Sequence, residues 1–438
     1  MKEYDVRRAF AQYVSLNILA QAAYSLYTLA DTFLVSARLG ADGLAALNLA
    51  FPVFCLINGT GLMLGVGGGA RCATAQSRGE AAAADRAFTG AALLTAVFSL
   101  LYGSAGLFFS APVARALGAD DALLSMTVAY LRTLLLFAPA FLTNHLLQCF
   151  VRNDGCPALS AAAMVCGSVS DIALAYVFIF RLDLGIFGSA LAAGLAPVIG
   201  VAVTASHLLR GRNRFHLARA LPSFGELRAI LSTGMSPFLT EAASGVVLFV
   251  FNAILLRLTG NVGVAAFSVV TVVSLVVVAI YTGLSQGVQP LLSRSHGVRD
   301  AEAIRAVLRR AAITASALSA AIYAAVALGA ERIVSAFNSG GDALLRAYAV
   351  SGMRLYFTAC PFLGFNILLA TFFLSTERPR PAQAISLLRG LIVPVPMARL
   401  LSALLGMTGV WCAYPATEAV VAALGAAYFL LRGRGKTA

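Results

Sequence analysis

The chain has 438 residues, of which 60% are hydrophobic and only 12% are charged. Soluble globular proteins carry about 25% charged residues, so this composition excludes a soluble enzyme or binding domain and predicts a chain embedded in the lipid bilayer. The formal net charge is +13, but no basic patch is interleaved with aromatic side chains, so we expect no nucleic-acid partner.

Twelve apolar stretches are each long enough to cross a bilayer, which takes roughly 20 residues. Six lie in the first half, at 12–36, 47–70, 88–110, 127–150, 158–180 and 185–209, and six in the second, at 229–256, 263–291, 306–329, 346–374, 382–405 and 409–431. We number these spans 1 to 12. They predict an all-α integral membrane protein with an N-terminal lobe (1–210), a polar cytoplasmic linker (211–228) and a C-terminal lobe (229–438).

Two acidic residues interrupt the apolar spans of the first half, Asp31 in span 1 and Asp171 in span 5. A charge inside the membrane is costly unless it meets water or a partner, so such residues are functional candidates. Tyr27 precedes Asp31 by one helical turn, and Tyr176 follows Asp171; aromatic faces attract cations. The structural alternative is an ion pair with an arginine of a neighbouring helix for the acids, and ordinary helix packing for the tyrosines.

The basic residues are distributed unequally between the two sides of the membrane. With the N-terminus inside, 23 of the 32 lysines and arginines fall on the inner side and 9 on the outer side. Basic loops stay in the cytoplasm, so we expect a multi-pass protein of the cell membrane, the inner membrane of a bacterium, with both termini cytoplasmic.

The apolar spans of the second half also contain two acidic residues, Glu241 in span 7 and Glu418 in span 12. At about 1.5 Å per residue, Glu241 lies about 18 Å into its helix, near the middle of the bilayer. If the four acids instead form structural ion pairs, their partners would be arginines of neighbouring helices: Arg132, Arg354 or Arg399. We otherwise expect Glu241 and Glu418 to bind the charge of a cationic substrate.

The two halves are also related in sequence. LRTLLLFAPAFLTNHLLQCFV (131–151) resembles MRLYFTACPFLGFNILLATFF (353–373), so that Arg132, Pro139 and Asn144 correspond to Arg354, Pro361 and Asn366. Similarity at a fixed period in a hydrophobic chain is typical of transporters with two lobes around a central site. We assign Asn144 to the ion-coupling site and Asn366 to the substrate site on this basis.

The sequence lacks motifs of catalysis and of cofactor binding. GLMLGVGGGAR (61–71) has no Lys-Ser/Thr pair and follows no strand, so it is not a P-loop. The seven cysteines and four histidines show no metal-ligand spacing. We therefore expect no enzyme, no metal site and no cofactor beyond a coupling ion.

Four segments then carry a family resemblance: LADTFLVSARLGADGLAALNLAFPV, GMSPFLTEAASGVVLFVFNAILL, GLSQGVQPLLSRSHG and GVWCAYPATE. They resemble the MATE (multidrug and toxic compound extrusion) transporters, and the likeness runs along almost the whole chain. The resemblance implies two six-helix lobes around a V-shaped central cleft, and efflux of organic cations against entry of Na⁺ or H⁺. It also implies that Asp31 and Tyr27 belong to the ion-coupling site of the N-terminal lobe.

The chain departs from the family pattern at several of these positions. In span 5 the family's Asn, followed four residues later by Asp, is replaced by Asp171 and Ala175, and a span 6 Thr is Ala193. The acid has thus moved by one turn on the same helix face, and we expect Asp171 to substitute for the span 5 Asp of the family. Glu241 resembles a span 7 Glu of one branch, whose span 10 Asp is missing here, which leaves Glu418 as the candidate replacement.

These observations lead to one functional hypothesis and several alternatives. We expect a secondary antiporter, monomeric, that exports amphipathic organic cations in exchange for H⁺ or Na⁺. The loss of oxygen ligands at Ala175 and Ala193 favours H⁺, because Na⁺ needs several oxygen ligands at once. The first alternative is a flippase for lipid-linked or polar lipid substrates. A membrane enzyme, or a structural or receptor role, is a further alternative.

Overall fold

The computed structural model describes residues 3–337 and 342–434, and over these residues all of the regular secondary structure is helical. Eleven of the described helices are long and apolar enough to cross a membrane. The count is twelve if Leu124–Leu136 and Ala138–Asn153, which meet at an angle of 44°, form one span. The all-α prediction with twelve spans is thereby confirmed, while the extreme terminal residues, 1–2 and 435–438, lie outside the described residues.

The spans keep the numbering of the sequence. In the first half they are Val6–Gly40, Asp42–Ser77, Ala81–Phe108, the bent pair Leu124–Leu136 with Ala138–Asn153, Pro157–Arg181 and Gly185–Leu209. In the second half they are Phe224–Gly260, Val262–Gly297, Ala301–Phe337, Ala343–Ser375, Pro379–Leu405 and Met407–Phe429. A short helix, Ser110–Ala116, connects spans 3 and 4.

Equivalent glycines join the first two spans of each lobe. Gly40 lies between spans 1 and 2 with φ 63° and ψ −149°, and Gly260 lies between spans 7 and 8 with φ 66° and ψ −152°. This backbone region is open almost only to glycine. The repeat seen in the sequence is therefore also a repeat of backbone geometry.

Equivalent prolines interrupt span 4 and span 10. Pro139 and Pro361 stand in the first turn of the helices that follow the interruptions, Ala138–Asn153 and Cys360–Ser375. Proline has no N–H to donate and its ring collides with the preceding turn, which favours an interruption of the α-helix at these positions. Span 4 bends by 44° at this point, and span 10 passes through a 3₁₀ turn at Phe357–Ala359.

The linker is shorter at its C-terminal end than predicted, because span 7 begins at Phe224 and not at 229. Ser223 caps the helix: its Oγ accepts the Glu226 N–H at 3.3 Å, and the Glu226 carboxylate accepts the Ser223 N–H at 2.7 Å. This reciprocal capping box fixes the helix start. It lies among charged residues, which is why hydrophobicity alone placed the boundary too late.

The lobes meet at the end of the bundle where spans 2, 4, 8 and 10 finish. Asn153 and Gln289 exchange amide hydrogen bonds of 3.2 and 3.3 Å there, and Arg78 pairs with Glu377 at 3.0 Å. Toward the other end each lobe has a hydrophobic core of its own, around Leu131 in the first lobe and around Trp411 in the second. The two lobes are therefore in contact at the predicted cytoplasmic end, and each has a separate hydrophobic core toward the other end.

Candidate functional site

Two acids of the N-terminal lobe come together inside the helix bundle. Asp31 of span 1 is 8% exposed and Asp171 of span 5 is fully buried, and the two carboxylates interact electrostatically. Ser189 Oγ of span 6 donates a hydrogen bond of 3.3 Å to Asp31 Oδ1. Neither oxygen of Asp171 has a hydrogen-bond partner in the described part of the chain. Within the described residues, neither aspartate forms an ion pair with Arg132, Arg354 or Arg399.

The surroundings of this pair are poor in oxygen ligands. Ala175 is fully buried in the hydrophobic core of the lobe, and Ala193 lines a small neighbouring cavity. The Tyr27 ring packs edge-on against the Tyr24 ring, with centroids 4.9 Å apart, and the assignment of Tyr27 to the coupling site stays a prediction. Asn144 forms no hydrogen bond with either of them and instead accepts one from Gln148 Nε2 at 2.9 Å.

The small cavity lies next to the aspartate pair and has a volume of about 40 Å³. Its polar lining side chains come from spans 1, 2, 4 and 5: Tyr24, Tyr27, Asn58, Asn144, His145, Gln148 and Ser168. His145 Nε2 lies 2.9 Å from Asn58 Oδ1, and Asn58 Nδ2 donates to the Tyr24 hydroxyl at 3.1 Å. This N-lobe cavity thus contains a chain of side-chain hydrogen bonds across three helices.

A larger cavity, of about 160 Å³, lies between the two lobes. Spans 2, 4, 7, 8, 10 and 11 contribute to its wall, and Glu241 is its single acidic side chain. No donor or cation of the described residues lies within bonding distance of the Glu241 carboxylate, so the ion-pair alternative is not realised for Glu241 either. An unpartnered carboxylate in a cavity between two lobes is a ready partner for a cation.

Glu418 differs from Glu241, because its carboxylate forms an ion pair and a hydrogen bond inside the protein. Arg389 of span 11 approaches Glu418 Oε1 with Nη2 at 2.9 Å and Nε at 3.2 Å, and Asn366 Nδ2 donates to Glu418 Oε2 at 2.7 Å. Glu418 is 1% exposed. The sequence interpretation considered Arg399 as the partner of Glu418. The observed partner is Arg389, which lies in the π-helical turn Leu388–Ile392 of span 11.

Tyr176 has no contact that supports its assignment to the substrate site. It is 46% exposed and stacks on Phe180, with ring centroids 5.4 Å apart. It lines neither cavity. The assignment of Tyr176 stays a prediction, as do those of the other candidate residues.

Three ionisable side chains were not recognised as site residues from the sequence. Arg152 is only 2% exposed and lines the central cavity, where its Nη1 donates to Gln286 Oε1 at 3.0 Å. Arg389 lines the same cavity, and His145 lies in the N-lobe cavity. Arg152 and Arg389 were counted with the cytoplasmic loops, although both lie in helices. The sequence signal that could have identified these two arginines is a charged residue in an apolar run.

Comparison with known proteins relates the whole chain to one family. The MatE family model matches residues 17–177 and 238–400. The multidrug export protein MepA of Staphylococcus saprophyticus is 25% identical over 397 residues, which cover 89% of this chain and 86% of that protein. MepA of Staphylococcus aureus strain MRSA252 is 25% identical over 402 residues, with the same coverage.

A solved structure shares the fold. It is described as the outward-facing conformation of a multidrug resistance MATE family transporter of the MOP superfamily. Its TM-score is 0.92 at 23% sequence identity, over 98% of this chain and 96% of that chain. The two-lobe architecture is therefore a known one.

Proposed function

The chain belongs to the MatE family, and from that premise we propose that it exports amphipathic organic cations across the membrane in exchange for H⁺ or Na⁺. The two relatives named above are multidrug export proteins, which supports export as the activity. The flippase alternative is not favoured by these relatives. We further propose that the transporter works as a monomer in the bacterial inner membrane, with both termini in the cytoplasm.

The observation that carries this proposal is the free carboxylate of Glu241 in the cavity between the lobes. Of the two arginines that line the same cavity, Arg389 is neutralised by Glu418. Arg152 lies at the closed end, where Asn17 and Gln286 accept its hydrogen bonds at 3.4 and 3.0 Å. Arg152 keeps its positive charge, since both of these partners are neutral amides. Glu241 is the carboxylate of the lining, and it can bind the charge of an amphipathic cation while the apolar side chains of the wall cover its hydrophobic part.

The aspartate pair is the proposed site of the coupling ion. Removing two carboxylates from water costs several kcal/mol per ion unless donors or cations replace the water. Asp31 receives one hydrogen bond, from Ser189, and Asp171 receives none from the described residues. Na⁺ would need several oxygen ligands, so we favour H⁺ as the coupling ion and keep Na⁺ as the alternative.

Energised membrane vesicles test this function. Vesicles that contain the protein should move a fluorescent organic cation when an ion gradient is applied, and Asp31→Asn should abolish that movement. The amide keeps the shape of the side chain but does not ionise, so it cannot release and take up the coupling proton. Normal membrane insertion of Asp31→Asn, checked by its amount in the membrane, is the control. Transport at the wild-type rate by this variant contradicts the assignment of Asp31.

A further inference from the structure

Arg152 is a buried cation that lacks a counter-ion among the described residues. It lies in the last turn of the helix Ala138–Asn153, is 2% exposed and lines the central cavity. Removing a guanidinium from water is costly unless an anion and hydrogen-bond acceptors replace the water. A charge buried in the wall of a cavity is therefore a candidate for binding a ligand.

The groups that accept hydrogen bonds from Arg152 are all neutral. Nη1 donates to Asn17 Oδ1 at 3.4 Å and to Gln286 Oε1 at 3.0 Å, and Nη2 donates to the Cys149 sulfur at 3.3 Å. Sulfur is a weak acceptor, and Nε has no partner in the described part of the chain. These contacts hold the side chain in place, but they leave its positive charge without compensation.

The second arginine of the cavity shows the contrast. Arg389 approaches Glu418 Oε1 with Nη2 at 2.9 Å and Nε at 3.2 Å, so its charge has a partner within the protein. Of the charged side chains that line the cavity, this leaves Arg152 and Glu241, neither of which forms an ion pair with a described residue. The central cavity thus presents one cation and one anion to a ligand.

These two charges lie at different depths in the bundle. Glu241 packs on Gly59, where an added Cβ would lie 3.1 Å from Glu241 Cβ. Spans 2 and 8 end side by side, since an added Cβ at Gly297 would collide with Ser77 Oγ. Gly59 precedes Ser77 by 18 residues, whereas Gln286, which binds the guanidinium, precedes Gly297 by 11. The difference of seven residues corresponds to about 10 Å along the helices.

We propose that Arg152 determines specificity in the central cavity, where it binds the carboxylate of a zwitterionic amphiphile whose ammonium group lies at Glu241. The apolar segment between the two groups of the ligand packs on wall residues such as Leu62, Val66 and Ile367. A simple cation leaves Arg152 without a counter-ion and is repelled by it. This inference rests on the proposed function, because it names the class of organic cation that the same cavity selects.

The test compares two linear compounds, ω-aminononanoic acid and its methyl ester. Both carry an ammonium group, and only the acid carries a carboxylate. The rise of the thermal unfolding midpoint with compound concentration gives each dissociation constant, measured on the purified full-length protein in detergent. The wild type should bind the acid at least about tenfold more tightly than the ester, which is the usual scale for a buried charge partner. Equal binding of the two compounds, or tighter binding of the ester, overturns the inference.

Arg152→Gln removes the positive charge, and Arg152→Lys is the matched control that keeps it. The preference for the acid should disappear in Arg152→Gln and persist, at a reduced ratio, in Arg152→Lys. A purely structural role of Arg152 would weaken both compounds alike, so an unchanged ratio in Arg152→Gln overturns the inference. The unfolding midpoint without compound shows whether each variant is folded, and the comparison in the wild type is decisive on its own.

Glu241→Gln separates this inference from the proposed function. Because both compounds carry the ammonium group, both should bind more weakly to this variant. Equal binding of acid and ester to the wild type, with both weakened by Glu241→Gln, overturns the role of Arg152 and leaves cation export standing. Ester binding that Glu241→Gln does not change contradicts the cation site of the proposed function, whatever the preference between the two compounds.

Discussion

The four acids inside the spans differ in the hydrogen-bond donors and cations that surround their carboxylates. Glu418 receives two N–H groups of Arg389 and one of Asn366, whereas Glu241 receives none from the described residues. A buried acid that is fully paired holds helices together, and one without a partner is available to a ligand or a proton. Glu241 and Glu418, which the sequence treats alike, therefore differ in the structure.

The first prediction concerns Glu241. If its carboxylate meets the charge of a cation, Glu241→Gln should weaken the binding of an organic cation at least about tenfold, which is the usual scale for loss of a buried charge partner. A neutral amphiphile of similar size should bind almost unchanged, since it loses no partner. Calorimetric titration of both compounds measures the difference. Equal losses for the two compounds would show that Glu241 acts on the shape of the cavity alone.

The second prediction concerns the pair of Glu418 and Arg389. Glu418→Gln leaves the guanidinium of Arg389 buried without its counter-charge, and breaking a buried pair in this way costs about 3–5 kcal/mol. Removing both partners, with Glu418→Gln and Arg389→Met together, should recover most of this loss because no isolated charge remains. Thermal unfolding in detergent compares the variants. A double variant as unstable as the single one would contradict this account of the pair.

Some residues of the candidate site could be recognised from the sequence and others could not. Asp31, Asp171, Glu241 and Glu418 were recognised because a carboxylate within an apolar run is rare. The partner of Glu418 was not recognised, because which arginine faces it depends on a helix turn in span 11 that leaves no hydrophobic pattern. His145 was passed over because its partner is the neutral amide of Asn58, which belongs to a different helix.

At the scale of the helices, the glycines and prolines that interrupt the spans lie at equivalent positions in the two lobes, whereas the π-helical turns do not. Glycines in a backbone region reserved for glycine end spans 1 and 7, and prolines interrupt spans 4 and 10. A π-helical turn ends span 5 at Val177–Arg181, and another lies within span 11 at Leu388–Ile392. The proline repeat was visible in the sequence. The π-helical turns were not, because they depend on packing and not on a characteristic residue.

The third prediction uses one of these glycines. Gly260→Ala places a Cβ in a conformation with φ 66°, which costs of the order of 1–3 kcal/mol. Gly245 is the matched control in the same span: it is helical, and an added Cβ would meet nothing within 4 Å. Gly245→Ala should be neutral or slightly stabilising, because alanine favours the helix. Unfolding midpoints that fall equally in both variants would contradict a special role for Gly260.

At the scale of the whole molecule, the ionisable groups of the two proposed sites come from different lobes. The N-terminal lobe holds the aspartate pair and the polar cavity beside it, and the C-terminal lobe supplies Glu241. The sequence predicted two lobes, because their spans and their repeat are local patterns. It did not predict that the lobes meet through Asn153 and Gln289, since contacts between distant spans follow from packing and leave no trace in spacing.

The most direct test of the account is efflux from liposomes that contain the purified protein, with the pH and Na⁺ gradients set independently. We expect a pH gradient in Na⁺-free buffer to drive the movement of a fluorescent organic cation, and a Na⁺ gradient at equal pH to drive none. Absence of transport under every gradient would contradict cation export. Transport with the Na⁺ gradient alone would contradict proton coupling and would make Asp171 a ligand of Na⁺.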